Sequence, residues 1–268
     1  MSTVSSFDGT KIAYRPVGEL NRDLVKAGRL AISVCCAIRA FSKFDEVMSK
    51  TSPTVSMDLR GSGESQRPKL LTDYSVSAYS KDISAVLSAN KAESAVVIGY
   101  SHGSEAVVNL AITHPAQVSA VVLIEPPFFL DPSTLLERAR LAEEGKVEDA
   151  LRLSIAVSNP GLTGGEVEEG VKVMLTTYGH DATALAGEWR ARANYRIGAS
   201  QLARISAPTL VIGGSESNIR EEVARTAHSI PNASLFWLHG ATHFLNEEQG
   251  RQAAEITTAF LSLAHARK

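Results

Sequence analysis

The stretch at residues 96–108, VVIGYSHGSEAVV, constrains this chain more than any other. It begins as an apolar run, reads Gly99-Tyr100-Ser101-His102-Gly103, and resumes apolar with a helical period. A strand delivered into a helix by so tight a turn leaves no room for side chains beside the turn residue. Glycines at 99 and 103 relieve that crowding, and Ser101 then projects alone from the carboxyl edge of a sheet. His102 opens the helix, so its amide faces whatever Ser101 attacks, while its side chain is expected to point away along the helix. A serine that only caps a helix is the competing reading. The strand before it and the helix after it favour an exposed nucleophile.

The remaining pattern agrees with that turn. TVSSF and KIAYR flank Asp8-Gly9 and read as a hairpin. Further strand runs are RLAISVCC (29–36), PTVSMD (53–58), SAVVIG (94–99), SAVVLI (119–124), PTLVIGG (208–214) and ASLFWL (233–238). Residues 76–90, 102–114 and about 250–265 carry apolar positions at helical spacing. Residues 128–205 contain no convincing strand and read as helices broken at Asn159-Pro160-Gly161 and Gly164-Gly165. Alternating strands and helices predict an α/β fold with a mostly parallel sheet of eight strands, covered by helices on both faces. The expected organisation is a core of residues 1–127 and 206–268 with a helical cap inserted at 128–205.

Composition removes several function classes. The chain of 268 residues is 44% apolar and 21% charged, with a net charge of −2, so nothing points to nucleic acid or an acidic membrane surface. No apolar run approaches the length of a membrane span, and the N-terminus has no secretory pattern. The expected location is cytoplasmic. Only Cys35 and Cys36 occur, adjacent to each other, which gives neither a disulfide framework nor a metal-type spacing.

Three motifs in order then resemble the α/β-hydrolase superfamily. They are the G-x-S-x-G turn around Ser101, DLRGSGES at 58–65, and GATHFLNEE at 240–248. The resemblance implies Ser101 as nucleophile and His243 as the base it needs, because a free hydroxyl is protonated at neutral pH. His239 is the nearest rival; His102 adjoins the serine, and His114, His180, His228 and His265 fall in helical or cap segments. The common family aspartate after the seventh strand falls on Ser217, which cannot hold a charge. Glu125, at the end of the sixth strand, matches the position where some members carry their acid. Glu216 is the alternative acid, and a site without an acid stays open. Glu105, one helical turn past Ser101, reads as part of a polar network.

The oxyanion hole implied by the resemblance uses the amides of His102 and Ala37. Cys35-Cys36 then occupy the place where many relatives read His-Gly, a departure that leaves the loop conformation open. Either cysteine as a reactive thiol competes with plain packing at a strand end. Arg39 either meets an anionic group or faces solvent. Cys36, Trp189, Tyr195 and Phe244 are candidate substrate contacts, with Leu130, Met174, Leu175 and Tyr178 as further cap residues near the pocket.

The expected function is a serine hydrolase that cleaves a carboxylic ester or lactone through an acyl-enzyme on Ser101. No metal or organic cofactor is needed. The expected partner is a small-molecule substrate, and the chain is expected to be a monomer or homodimer. The acid after strand six and the missing His-Gly are similar to zearalenone-type lactonases, with polyketide methylesterases as an equal rival. Two alternatives remain: a cofactor-free dioxygenase-like enzyme whose histidine deprotonates its substrate, and a ligand-binding receptor on a decayed hydrolase frame.

Overall fold

Apolar side chains alternate along every central strand, and the two sets they form pack on opposite sides of one sheet. The computed structural model describes residues 1–35, 41–179 and 181–266, apart from the side chains of Thr177 and Tyr178. The strands are β1 (Ser2–Ser5), β2 (Lys11–Val17), β3 (Leu30–Cys35), β4 (Thr54–Asp58), β5 (Ala95–Tyr100), β6 (Val118–Ile124), β7 (Thr209–Gly214) and β8 (Ala233–Leu238). They form one sheet in the order β1-β2-β4-β3-β5-β6-β7-β8. β1 and β2 pair antiparallel, as do β2 and β4, and all other pairs are parallel. All eight strands lie where the apolar runs predict them.

The helices are α1 (Arg22–Lys26), α2 (Ser42–Met48), α3 (Val76–Ala89), α4 (Gly103–Thr113), α5 (Ser133–Glu143), α6 (Val147–Ser158), α7 (Gly164–Tyr178), α8 (Ala182–Asn194), α9 (Ala199–Leu202), α10 (Arg220–Ser229) and α11 (Glu247–Ala266). Leu30, Ile32, Val34, Val97, Val121 and Val211 face α3, α4 and α10. Ala31, Val96, Ile98, Val122 and Ile212 face α2 and α11. This two-sided burial is what parallel strands require. Among the described residues, 128–205 hold no strand, as expected. Helices α5 to α8 enclose a small apolar core of their own, including Ala139, Leu151, Ile155, Leu185 and Trp189. α7 starts with a capping box between Thr163 and Glu166.

The loop 58–65 is held from below. Arg60 is buried and donates to both oxygens of Asp82 on α3, at 2.8 and 2.6 Å, and to Asp8 at 2.7 Å. Ser6 also donates to Asp82 at 2.5 Å. This network ties the first hairpin to the loop after β4.

Candidate active site

Two adjacent strands, β5 and β6, end in left-handed residues. Ser101 has φ +50° and Glu125 has φ +52°. A non-glycine residue there costs about 1–2 kcal/mol, so both side chains are held in place by what surrounds them. The turn at Ser101 is possible because of Gly99 and Gly103. A Cβ on Gly99 would lie 2.6 Å from the Ser104 backbone, and one on Gly103 would lie 2.3 Å from the Val34 carbonyl oxygen. Helix α4 therefore starts against β3, with His102 as the residue that precedes its first turn.

The site assembles from three strand ends. Ser101 Oγ lies 3.0 Å from His243 Nε2. His243 Nδ1 lies 3.0 Å from Glu125 Oε2. Glu125 is fully buried and accepts two more hydrogen bonds, from the Gly214 N–H at 2.5 Å and the Ser217 hydroxyl at 2.6 Å. The loop that carries His243 is pinned by Tyr100, whose hydroxyl donates to the His243 carbonyl at 2.6 Å and accepts from the Leu245 N–H at 3.3 Å. The Tyr100 ring stacks on His243, and Phe244 meets the imidazole edge-on.

Glu216 is not in this chain of contacts. Its side chain is exposed, and its N–H donates to the Ala241 carbonyl at 2.9 Å. The residue in the usual aspartate position, Ser217, supports Glu125 instead. Its position in the chain marked it as a missing acid, and no local signal revealed it as a donor. His114, His228 and His239 are exposed, His265 is half-buried on α11, and His180 lies outside the described residues.

Above Ser101 and His243 lies a cavity of about 300 Å³. Its floor comes from the strand ends and its roof from α5 to α8. Leu130, Met174, Trp189 and Phe244 are among the residues that line it. Leu175 instead packs against the core of the helical block. Tyr195 lines a neighbouring pocket, and its hydroxyl accepts from the Asn109 amide at 2.8 Å. It is not among the residues that line the cavity above Ser101. Ala37, Cys36, Arg39 and the side chain of Tyr178 lie outside the described residues. Cys35 is buried and borders the cavity.

His102 departs from expectation. Its side chain turns up into the cavity wall, with Nε2 3.7 Å from Glu188 on α8. Burial lowers its pKa to about 4, against the pull of Glu188, so the ring is neutral at physiological pH. Arg192 joins the same cluster, donating to Glu105 at 3.2 Å and lying 3.6 Å from Glu188. Burial raises the Glu105 pKa, and Arg192 opposes it. Glu105 is thus the polar-network residue that the sequence suggested. The described residues contain no group of side chains suited to hold a metal ion, and no described helix is long and apolar enough to cross a membrane.

Comparison with known proteins agrees with this architecture. An enol-lactonase from Burkholderia xenovorans LB400 superimposes with a TM-score of 0.81 at 21% identity, covering 97% of this chain and 100% of that one. A thermophilic esterase from Thermogutta terrifontis gives 0.78 at 19% identity, covering 98% of each chain. In sequence, the chain is 28% identical over 133 residues to the bifunctional epoxide hydrolase 2 of Sus scrofa, a match spanning 49% of this chain and only 23% of that relative. The α/β hydrolase fold family matches residues 43–249, and this chain belongs to it.

Proposed function

We propose that the protein is a serine hydrolase that cleaves a carboxylic ester or lactone. The observation that carries this reading is the continuous chain Ser101 Oγ, His243, Glu125, with both links at 3.0 Å. His243 Nε2 takes the hydroxyl proton as Ser101 Oγ bonds to the carbonyl carbon. The charge that develops on the carbonyl oxygen is met by the His102 amide at the positive end of α4. Glu125 holds the imidazole in the tautomer that leaves Nε2 free to accept, and stabilises the imidazolium. His243 then returns the proton to the departing alkoxide. Water, deprotonated by the same nitrogen, clears the acyl-enzyme.

The lactonase and esterase among the similar folds are consistent with this chemistry. Epoxide opening through an alkyl-enzyme needs a carboxylate where Ser101 stands, which disfavours it here. Residues 128–205 form the cap in this reading, set over the core of 1–127 and 206–268.

The test is hydrolysis of a panel of neutral p-nitrophenyl esters and lactones by the native protein and Ser101→Ala. A nitrophenolate burst equal to one site per chain, followed by slower turnover and abolished in Ser101→Ala, is the expected result. Turnover that survives Ser101→Ala would overturn the proposal. Oxygen uptake without ester cleavage would favour the dioxygenase-like alternative.

A further inference from the structure

The cavity wall holds a cation that the triad does not use. Arg138, on α5, is 6% exposed and lines the same cavity as Ser101. Its Nε is buried with no acceptor, and among the described residues no carboxylate lies within ion-pairing distance of its guanidinium. The acids nearby are engaged elsewhere. Glu105 accepts from Arg192, and Glu188 stands between Arg192 and His102. Burial, helped by Arg192 and opposed by Glu188, lowers the Arg138 pKa to about 10, so the group remains charged at neutral pH. A buried charge is normally paired, and a lone one is costly.

The surroundings favour an anion at this point. Of the two guanidiniums, Arg192 alone engages the two carboxyls, Glu105 and Glu188, and burial pushes Glu105 toward its uncharged form. His102 contributes no charge. A neighbouring pocket shares Pro127, Leu130 and Arg192 with the main cavity and adds Arg196 and Arg225. That pocket gives a positively charged flank. The remaining acid on the cavity, Asp131, is exposed at its rim and bonded to the Ser133 N–H. The buried Glu188 would repel a second negative charge, so a single one is favoured.

We propose that Arg138 is a subsite for a substrate carboxylate, so that the preferred substrate is a monoanionic ester or lactone of a dicarboxylic acid. The planar guanidinium fork suits a carboxylate bound through both oxygens. Its position on the roof, with Ser101 on the floor, leaves the scissile carbonyl at the nucleophile while the free carboxylate is held above. The substrate class rests on the hydrolase reading, but anion binding at Arg138 does not.

The experiment therefore has two arms. In the first, kcat/KM is measured by proton release for the monomethyl esters of succinate, glutarate and adipate. Each is compared with the methyl ester of the unbranched monocarboxylic acid of equal chain length. The native protein should prefer at least one anionic ester by tenfold or more. Arg138→Gln should lower the anionic-to-neutral ratio by about 30-fold or more, the size expected when a buried charged partner is truncated. Arg138→Lys should lose less. In the second arm, monomethyl glutarate and monomethyl adipate are titrated calorimetrically into Ser101→Ala with Arg138 intact and with Arg138→Gln. Binding should be lost with the guanidinium. Thermal melts without ligand add a readout that a structural role would reverse: Arg138→Met should melt at the same temperature or higher, since it removes an unpaired buried charge. Equal rates for anionic and neutral esters throughout the series, a proportional loss of both in Arg138→Gln, or no anion binding to Ser101→Ala would overturn the proposal. Binding without any turnover would uphold the subsite and refute the hydrolase reading alone.

Discussion

Replacing Glu125 with glutamine keeps the size of the side chain and exposes what the carboxylate does. Oε1 of Glu125 accepts from the Gly214 N–H, and Oε2 accepts from Ser217 and from His243 Nδ1. A glutamine has one acceptor and one donor to share between these seats. With its oxygen toward Gly214, its NH₂ faces Ser217 and His243. Ser217 can rotate to accept, but His243 Nδ1 must also accept, which moves the ring proton to Nε2. That nitrogen then donates toward Ser101 and can no longer take its proton. Flipping the amide restores the productive tautomer but sets NH₂ against the buried Gly214 N–H, at a cost of about 1–3 kcal/mol. The active arrangement is thereby depleted about 5- to 150-fold. Loss of the charge that stabilises the imidazolium adds to this, for a total fall in kcat on the order of 10³–10⁴. The assay is steady-state hydrolysis of p-nitrophenyl butyrate, with circular dichroism to show that the fold is retained. Glu216→Gln is the control and should stay near the native rate. A fall of less than tenfold in Glu125→Gln, or an equal fall in both variants, would refute the assignment.

Three other perturbations read the framework. Gly103→Ala places a methyl 2.3 Å from the Val34 carbonyl oxygen, a backbone atom that cannot turn aside. It should cost at least about 3 kcal/mol, a fall in melting temperature of about 6 °C or more. Arg60→Met strands the buried carboxylate of Asp82 and should cost about 3–5 kcal/mol in denaturant titration, with partial recovery in the double variant Arg60→Met/Asp82→Leu. His102 gives a pH signature. Its folded pKa of about 4 lies below the ordinary 6.5, so between these values the unfolded chain binds a proton that the native chain does not. Stability therefore falls as pH drops from about 6.5 to 4, by about 3 kcal/mol in total. Buried Asp45, raised to about 6, acts in the opposite direction. The His102 contribution is thus the difference between native and His102→Gln stability curves, which should grow across this window and level off below pH 4.

The parts of this molecule legible in sequence are those set by local pattern. Apolar runs marked all eight strands, and Gly99 and Gly103 marked the elbow, because each glycine answers a steric demand within a few residues. Glu125 was visible as one of several acids by its place at a strand end. Its preference over Glu216 comes from the β5–β6–β7 neighbourhood, which brings Gly214 and Ser217 to it across some ninety residues of chain. The same limit hid the short helices α2 and α10, whose apolar faces are brief and are completed by packing on α11 and β7. His102 was read along its own helix. Its side chain instead ends 3.7 Å from Glu188 on α8, and nothing near residue 102 encodes that neighbour. Arg138 was equally silent, because an arginine in an amphipathic helix looks solvated until its helix packs against the rest of the fold.

The most direct test of the central claim is intact-protein mass after treatment with a fluorophosphonate, which a serine attacks only when its proton has a base to go to. The account predicts one adduct per chain on the native protein, none on Ser101→Ala, and a strongly slowed reaction on His243→Ala. A folded native chain that gains no adduct, or an adduct that persists in Ser101→Ala, would contradict it.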